Sequence, residues 1–150
     1  MMKYTVRYAH LEELTAFKTG DIIRESTFIG RMGNTGKSDG AHLHIDCVIG
    51  MHNYKYRLAD IMNDNPKSAK DQLDYFIDGL LFKNRLVITT QYLDPEYFKT
   101  YGKQHPAYDV VPKDPTMKNI YWNRSKLGLV LAVLDDPAGY GNNILIGFEA

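Results

Sequence analysis

The 150-residue sequence predicts a mainly β fold, an antiparallel sheet or sandwich domain with one peripheral helix. Short runs rich in β-branched and aromatic residues recur along the chain. Glycine-containing turns separate them, and only one stretch has convincing helical spacing. The length fits a single domain, residues 1–150, with a core of its own.

Each element has a local reason. Tyr4 to Tyr8 is a β-rich run leading into Ala9-His10-Leu11, and Glu12 to Phe17 is long enough for one helical turn. Lys18-Thr19-Gly20-Asp21 reads as a turn before Ile22-Ile23, and Thr27 to Gly30 as another short strand. A glycine-rich loop, Gly33 to Gly40, feeds a strand over Leu43 to Ile49. Asn63-Asp64-Asn65-Pro66 is a break. Ser68 is placed to cap a helix, with Asp71 in its first turn and Leu73, Phe76, Ile77 and Leu80 on one face. Arg85 to Tyr92 is strand-like, and Lys113-Asp114-Pro115 opens a loop. Gly128 to Leu134 and Asn143 to Phe148 are the last strands, joined by the long turn Asp135 to Gly141.

Composition narrows the functional classes. Apolar residues make up 44% and charged residues 24%, with 18 basic against 18 acidic side chains. A net charge of zero gives no general support for nucleic-acid or anionic-membrane binding. The single Cys47 excludes an internal disulfide and a multi-cysteine zinc site, and its apolar surroundings suggest a buried thiol. No apolar run approaches the ~20 residues of a membrane span. A nucleotide-binding P-loop is rejected, because the pattern ending in Gly36-Lys37-Ser38 needs glycine where Arg31 stands.

The chemistry-bearing residues are histidines. Three of the five lie in two short motifs, His105-Pro106-Ala107-Tyr108-Asp109 and His42-Leu43-His44. On a strand, His105 and Asp109 would share a face, though a loop or bulge could also aim both at one ion; Pro106 argues against a helix through His105. His42 and His44 share a face of one strand, so one could bind a metal while the other reaches a substrate. Catalytic zinc takes such nitrogen and oxygen ligands and keeps one position open.

Those two motifs, with Gly33 to Ala41 before His42, resemble the signatures of the M23 family of zinc metallopeptidases, the lysostaphin/LytM-type peptidoglycan endopeptidases. Tyr8-Ala9-His10-Leu11 resembles the family's third motif, and Gly128 to Phe148 its early strands. The similarity covers about residues 3–50 and 85–149, with 51–84 as a connecting segment. Ser38-Asp39-Gly40-Ala41 replaces a more usual Ser-Thr-Gly-Pro, and Asp46 stands where glutamate is common.

The resemblance implies a β domain of the M23 (duplicated hybrid motif-like) type and one Zn2+ ion held by His105, Asp109 and His44. It implies that His10 and His42 are the two catalytic histidines, with their individual roles open. Asn34, Asp136 and Tyr140 become candidates to line the substrate groove, beside turn or core roles. The implied substrate is a peptide of bacterial peptidoglycan, cleaved in a cross-link or stem. A catalytically inactive M23-fold binding or phage tail morphogenesis module is the alternative. The wall lies outside the cytoplasm and the chain opens without a secretory signal. That combination suggests a phage-encoded, virion-associated lysin or part of a longer secreted protein.

The motifs stand in an unusual order. In the family, a strand like Ile144 to Glu149 is joined by a tight turn to one like Lys3 to Tyr8. Here those strands are the last and the first, so the resemblance implies a circularly permuted chain. Strands 143–149 and 3–9 should then pair antiparallel, with Met1 and Ala150 close together.

Overall fold

The computed structural model describes residues 2–38, 40–57, 68–82 and 85–150, and forms nine strands and two helices among them. The strands are β1 (Lys3–Leu11), β2 (Ile22–Ile23), β3 (Phe28–Arg31), β4 (Leu43–Ile49), β5 (Leu86–Thr90), β6 (Tyr108–Pro112), β7 (Asn119–Tyr121), β8 (Gly128–Asp136) and β9 (Gly141–Glu149). The helices are α1 (Lys70–Phe82) and α2 (Pro95–Tyr101). Seven strands form one antiparallel sheet in the order β2-β8-β9-β1-β4-β6-β5, while β3 and β7 pair as a separate ribbon.

Alternation along the central strands divides the sheet into two faces. On one, Val6 and Tyr8 of β1, Ile45 and Cys47 of β4, and Ile146 and Phe148 of β9 join the main core. The opposite face carries Arg7, His44 and Asp46, all buried although polar. A smaller apolar cluster lies apart from the main core, with Tyr56 packed against Val48, Ala132 and Leu145.

The two terminal strands are neighbours. β9 pairs antiparallel with β1 from Lys3↔Glu149 to Tyr8↔Ile144, and the Ala150 amide donates to the Met2 carbonyl at 3.1 Å. Tyr4 faces Phe148 in this register, and their rings stack 5.5 Å apart, a cross-strand pair that fixes the alignment.

Several expectations need correction. Helix α1 is not peripheral: Leu73, Phe76 and Leu80 are fully buried, and Phe76 meets Tyr8, Trp122 and Phe148 at ring distances of 5.1–6.4 Å. Ser68 does not cap it. Its backbone bridges to Val48 and its hydroxyl meets that of Tyr92 at 2.5 Å, so the helix begins two residues later. A second helix, α2, is present where only one was expected; Asp94 caps it with a bond from the Glu96 amide, and Pro95 opens it. Glu12 to Phe17 forms bends rather than a helical turn, and the loop after Pro115 contains β7. The break at Asn63 to Pro66 and the position of Met1 lie outside the described residues.

Candidate metal centre and active site

Strand register assembles the site. His44 and Asp109 are direct partners across β4 and β6, and Ala9, next to His10, is the partner of His44 across β1 and β4. His105 enters from the segment before β6, where its carbonyl accepts from the Leu93 amide at 2.8 Å and its ring lies 4.5 Å from that of Tyr97 on α2.

One donor atom each from His44, His105 and Asp109 come together within 4.8 Å of one another. His44 Nδ1 is 3.4 Å from Asp109 Oδ1, and His105 Nε2 is 3.4 Å from Asp109 Oδ2. Ligands of a tetrahedral zinc ion stand about 3.3 Å apart. Asp109 Oδ1 is buried without a hydrogen bond. Burial opposes its charge, yet the His105 and His44 side chains hold the Asp109 carboxyl far below the usual range, so it is ionised. An ionised, incompletely satisfied carboxylate between two imidazoles is a donor set that fits zinc and leaves a position open.

The other two expected histidines border this cluster. His10 sits at φ 61°, where the pairing of β1 with β9 shifts register between Tyr8 and Leu11. Its amide donates to the Tyr140 carbonyl at 2.8 Å, and its Nδ1 donates to the Thr35 carbonyl at 2.6 Å. A carbonyl can only accept, so His10 keeps its proton on Nδ1 and presents Nε2 as an acceptor. His42 Nδ1 donates to the Gly40 carbonyl at 2.8 Å by the same logic, and its Nε2 stands 3.8 Å from Asp109 Oδ1. The two rings are 4.8 Å apart. Burial, with the neighbouring His44 and His42, pushes the His10 pKa down to about 4 despite the Thr35 bond.

The glycine-rich loop is held where His10 needs it. Gly36 lies at φ 75°, and a Cβ there would come 2.2 Å from the Gly141 backbone nitrogen, so only glycine lets this loop pack against the 139–141 turn and keep Thr35 in place. Tyr140 lies beside the site, with ring centroids 5.4 Å from His44 and 6.5 Å from His10. The Asp136 carboxylate accepts from the Tyr140 amide at 3.0 Å and has a turn role here. Asn34 is exposed and makes none of the cluster's hydrogen bonds. His52 lies outside the cluster, its Nε2 bonded to the Ile49 carbonyl at 2.9 Å.

A supporting layer behind His44 was not anticipated. His44 Nε2 donates to Asp46 Oδ2 at 2.8 Å, and Arg7 Nε reaches the same oxygen at 2.8 Å. Burial opposes both shifts, yet Asp46 is held below the usual carboxylate range by Arg7 and His44, while Asp109 and Asp46 raise His44. The only sequence signal was Asp46 two residues beyond His44, on the same strand face.

A family model described as Peptidase family M23 matches residues 2–55, the stretch that carries His10, His42 and His44. That stretch, about a third of the chain, is similar to peptidases of this family, which are generally zinc-dependent. No curated protein and no solved structure matches the chain. No helix among the described residues is long and apolar enough to cross a membrane.

Proposed function

We propose that this chain is a zinc-dependent M23 endopeptidase that hydrolyses peptide bonds of bacterial peptidoglycan. The observation that carries the reading is the convergence of His44, His105 and Asp109 within 4.8 Å, beside the paired rings of His10 and His42. His105 and Asp109 fall outside the matched stretch, so their arrival at the site is independent of the family match.

In this reading His44, His105 and Asp109 hold the ion. Bound zinc supplies Lewis acidity that polarises the scissile carbonyl and lowers the pKa of water toward about 7. His10 and His42 manage protons. Each spends its Nδ1 proton on a backbone carbonyl, so each offers Nε2 to the cleft as an acceptor. The proton gained there can pass to the departing amine, and the imidazolium formed meanwhile favours the negative charge on the carbonyl oxygen. His42 stands on the metal side, close to Asp109, and His10 flanks it beneath the glycine-rich loop. Peptidoglycan as substrate places the work outside the cytoplasm, consistent with a virion-associated enzyme or a domain of a longer protein.

We also propose that the family's elements occur here in circularly permuted order within one domain, with 51–84 as the joining segment. Antiparallel pairing of the first and last strands supports this.

The test is release of new amino groups from purified peptidoglycan by zinc-loaded protein, with metal content measured in parallel. His42→Ala should retain one zinc per chain and lose about 10²–10⁴-fold in rate, whereas His44→Ala should lose the zinc. A wild-type protein that binds one zinc but cleaves no wall type would instead support a binding or morphogenesis module.

A further inference from the structure

We propose that Tyr56, in the segment that follows β4, is a positioning residue that orients His44 through Asp46. The proposal rests on the reading of His44 as a metal ligand. Tyr56 lies just beyond the stretch that matches the family model.

An imidazole that binds a metal through Nδ1 needs its proton on Nε2 and its ring held at a fixed angle. His44 meets both needs through Asp46: Nε2–H donates to Oδ2 at 2.8 Å, which leaves the Nδ1 lone pair on the Asp109 side. Asp46 can do this only if its own plane is fixed. Oδ2 is shared with Arg7, whose Nε and Nη2 both lie 2.8 Å away. Left to itself, an arginine fork draws a carboxylate into a bidentate pair with both oxygens. Here Oδ1 is taken instead by the Tyr56 hydroxyl at 3.0 Å, so the carboxylate cannot turn toward Arg7 without losing a buried hydrogen bond.

Tyr56 also fixes Arg7 itself. Its carbonyl accepts from Arg7 Nη1 at 2.6 Å, and its ring lies 4.0 Å below the guanidinium carbon. The Tyr140 ring covers the opposite face at 3.6 Å. The neighbouring Lys55 bonds Asp136 at 2.9 Å, and Asp136 in turn holds the Tyr140 amide. Two consecutive residues of this segment therefore brace both sides of the Arg7–Asp46 pair. Arg7, Asp46 and Tyr56 are all buried, which keeps water from competing for these bonds.

Tyr56→Phe deletes the hydroxyl and keeps the ring against Arg7. With the thermal midpoint little changed, zinc affinity measured by competition with a chromophoric chelator should fall about threefold to tenfold, and Asp46→Asn should lose about 10–100-fold. Nitrogen-15 NMR of the metal-free protein, at a pH high enough for the His44 ring to be neutral, reads the tautomer directly. Wild type should carry the His44 proton on Nε2, and Tyr56→Phe should raise the Nδ1–H fraction. Unchanged tautomer and affinity within twofold in Tyr56→Phe would overturn the role of Tyr56. The metal-free spectrum decides the matter even if the wild type binds no zinc, the outcome that would instead sink the proposed function.

Discussion

His10 is the residue in which backbone geometry and chemistry are most tightly joined. A left-handed φ costs a non-glycine residue about 1–3 kcal/mol, and here it is imposed by bonds on three sides: its amide to Tyr140, its carbonyl from Gly33 and its ring to Thr35. Burial with no carboxylate in direct contact keeps the ring neutral, with a pKa of about 4. An unfolded histidine titrates near 6.5, so the unfolded chain binds a proton between those values that the folded chain refuses. The contribution of His10 to stability is complete above the unfolded value and is lost as pH falls from about 6.5 to about 4. A histidine NMR titration of the metal-free protein should give a His10 midpoint near 4; a midpoint near 6.5 would mean that the ring is solvated rather than buried. At this scale the sequence spoke only through combination: His-x-His and His-x-x-x-Asp each occur by chance, but together they use three of the five histidines. Arg7 and Tyr56 escaped notice because their importance depends on register: Arg7 meets Asp46, 39 residues away, only once β1 pairs with β4.

Among the elements, those made by their own side-chain pattern could be read in advance, and those made by partners could not. β1, β4, β8 and β9 follow from β-branched and aromatic runs bounded by turns. β7 has three residues, and what makes it a strand is its pairing with β3. α2 buries no residue, so hydrophobic periodicity had nothing to detect; its signal was the cap Asp94 followed by Pro95. The position of α1 was misjudged because an amphipathic pattern tells which face is buried, not how much of the core that face supplies. The order of the elements carries its own test. β9 and β1 end side by side, with Ala150 bonded to Met2. Joining those residues by a short turn and opening the chain within residues 58–67 should yield a protein with a cooperative melt and the same zinc content. Failure of the rejoined chain to fold would contradict the permuted-order proposal.

For the whole molecule, the sheet separates two tasks. One face builds the main core with α1, and the other holds a polar layer in which Arg7, Asp46, His44 and Asp109 follow one another from the interior toward the cleft. Such an array of buried charges is costly unless each member is paired. The series ends on Asp109, whose Oδ1 lacks a hydrogen bond, and a cation at that end would complete it. Diffraction from crystals of the zinc-loaded protein, with anomalous data collected at the zinc edge, locates that cation without reference to activity. The expected map has one strong peak bonded to His44, His105 and Asp109, with His10 and His42 beside it but unbonded. No peak at those three residues, or an ion held instead by His10 and His42, would refute the assigned metal centre.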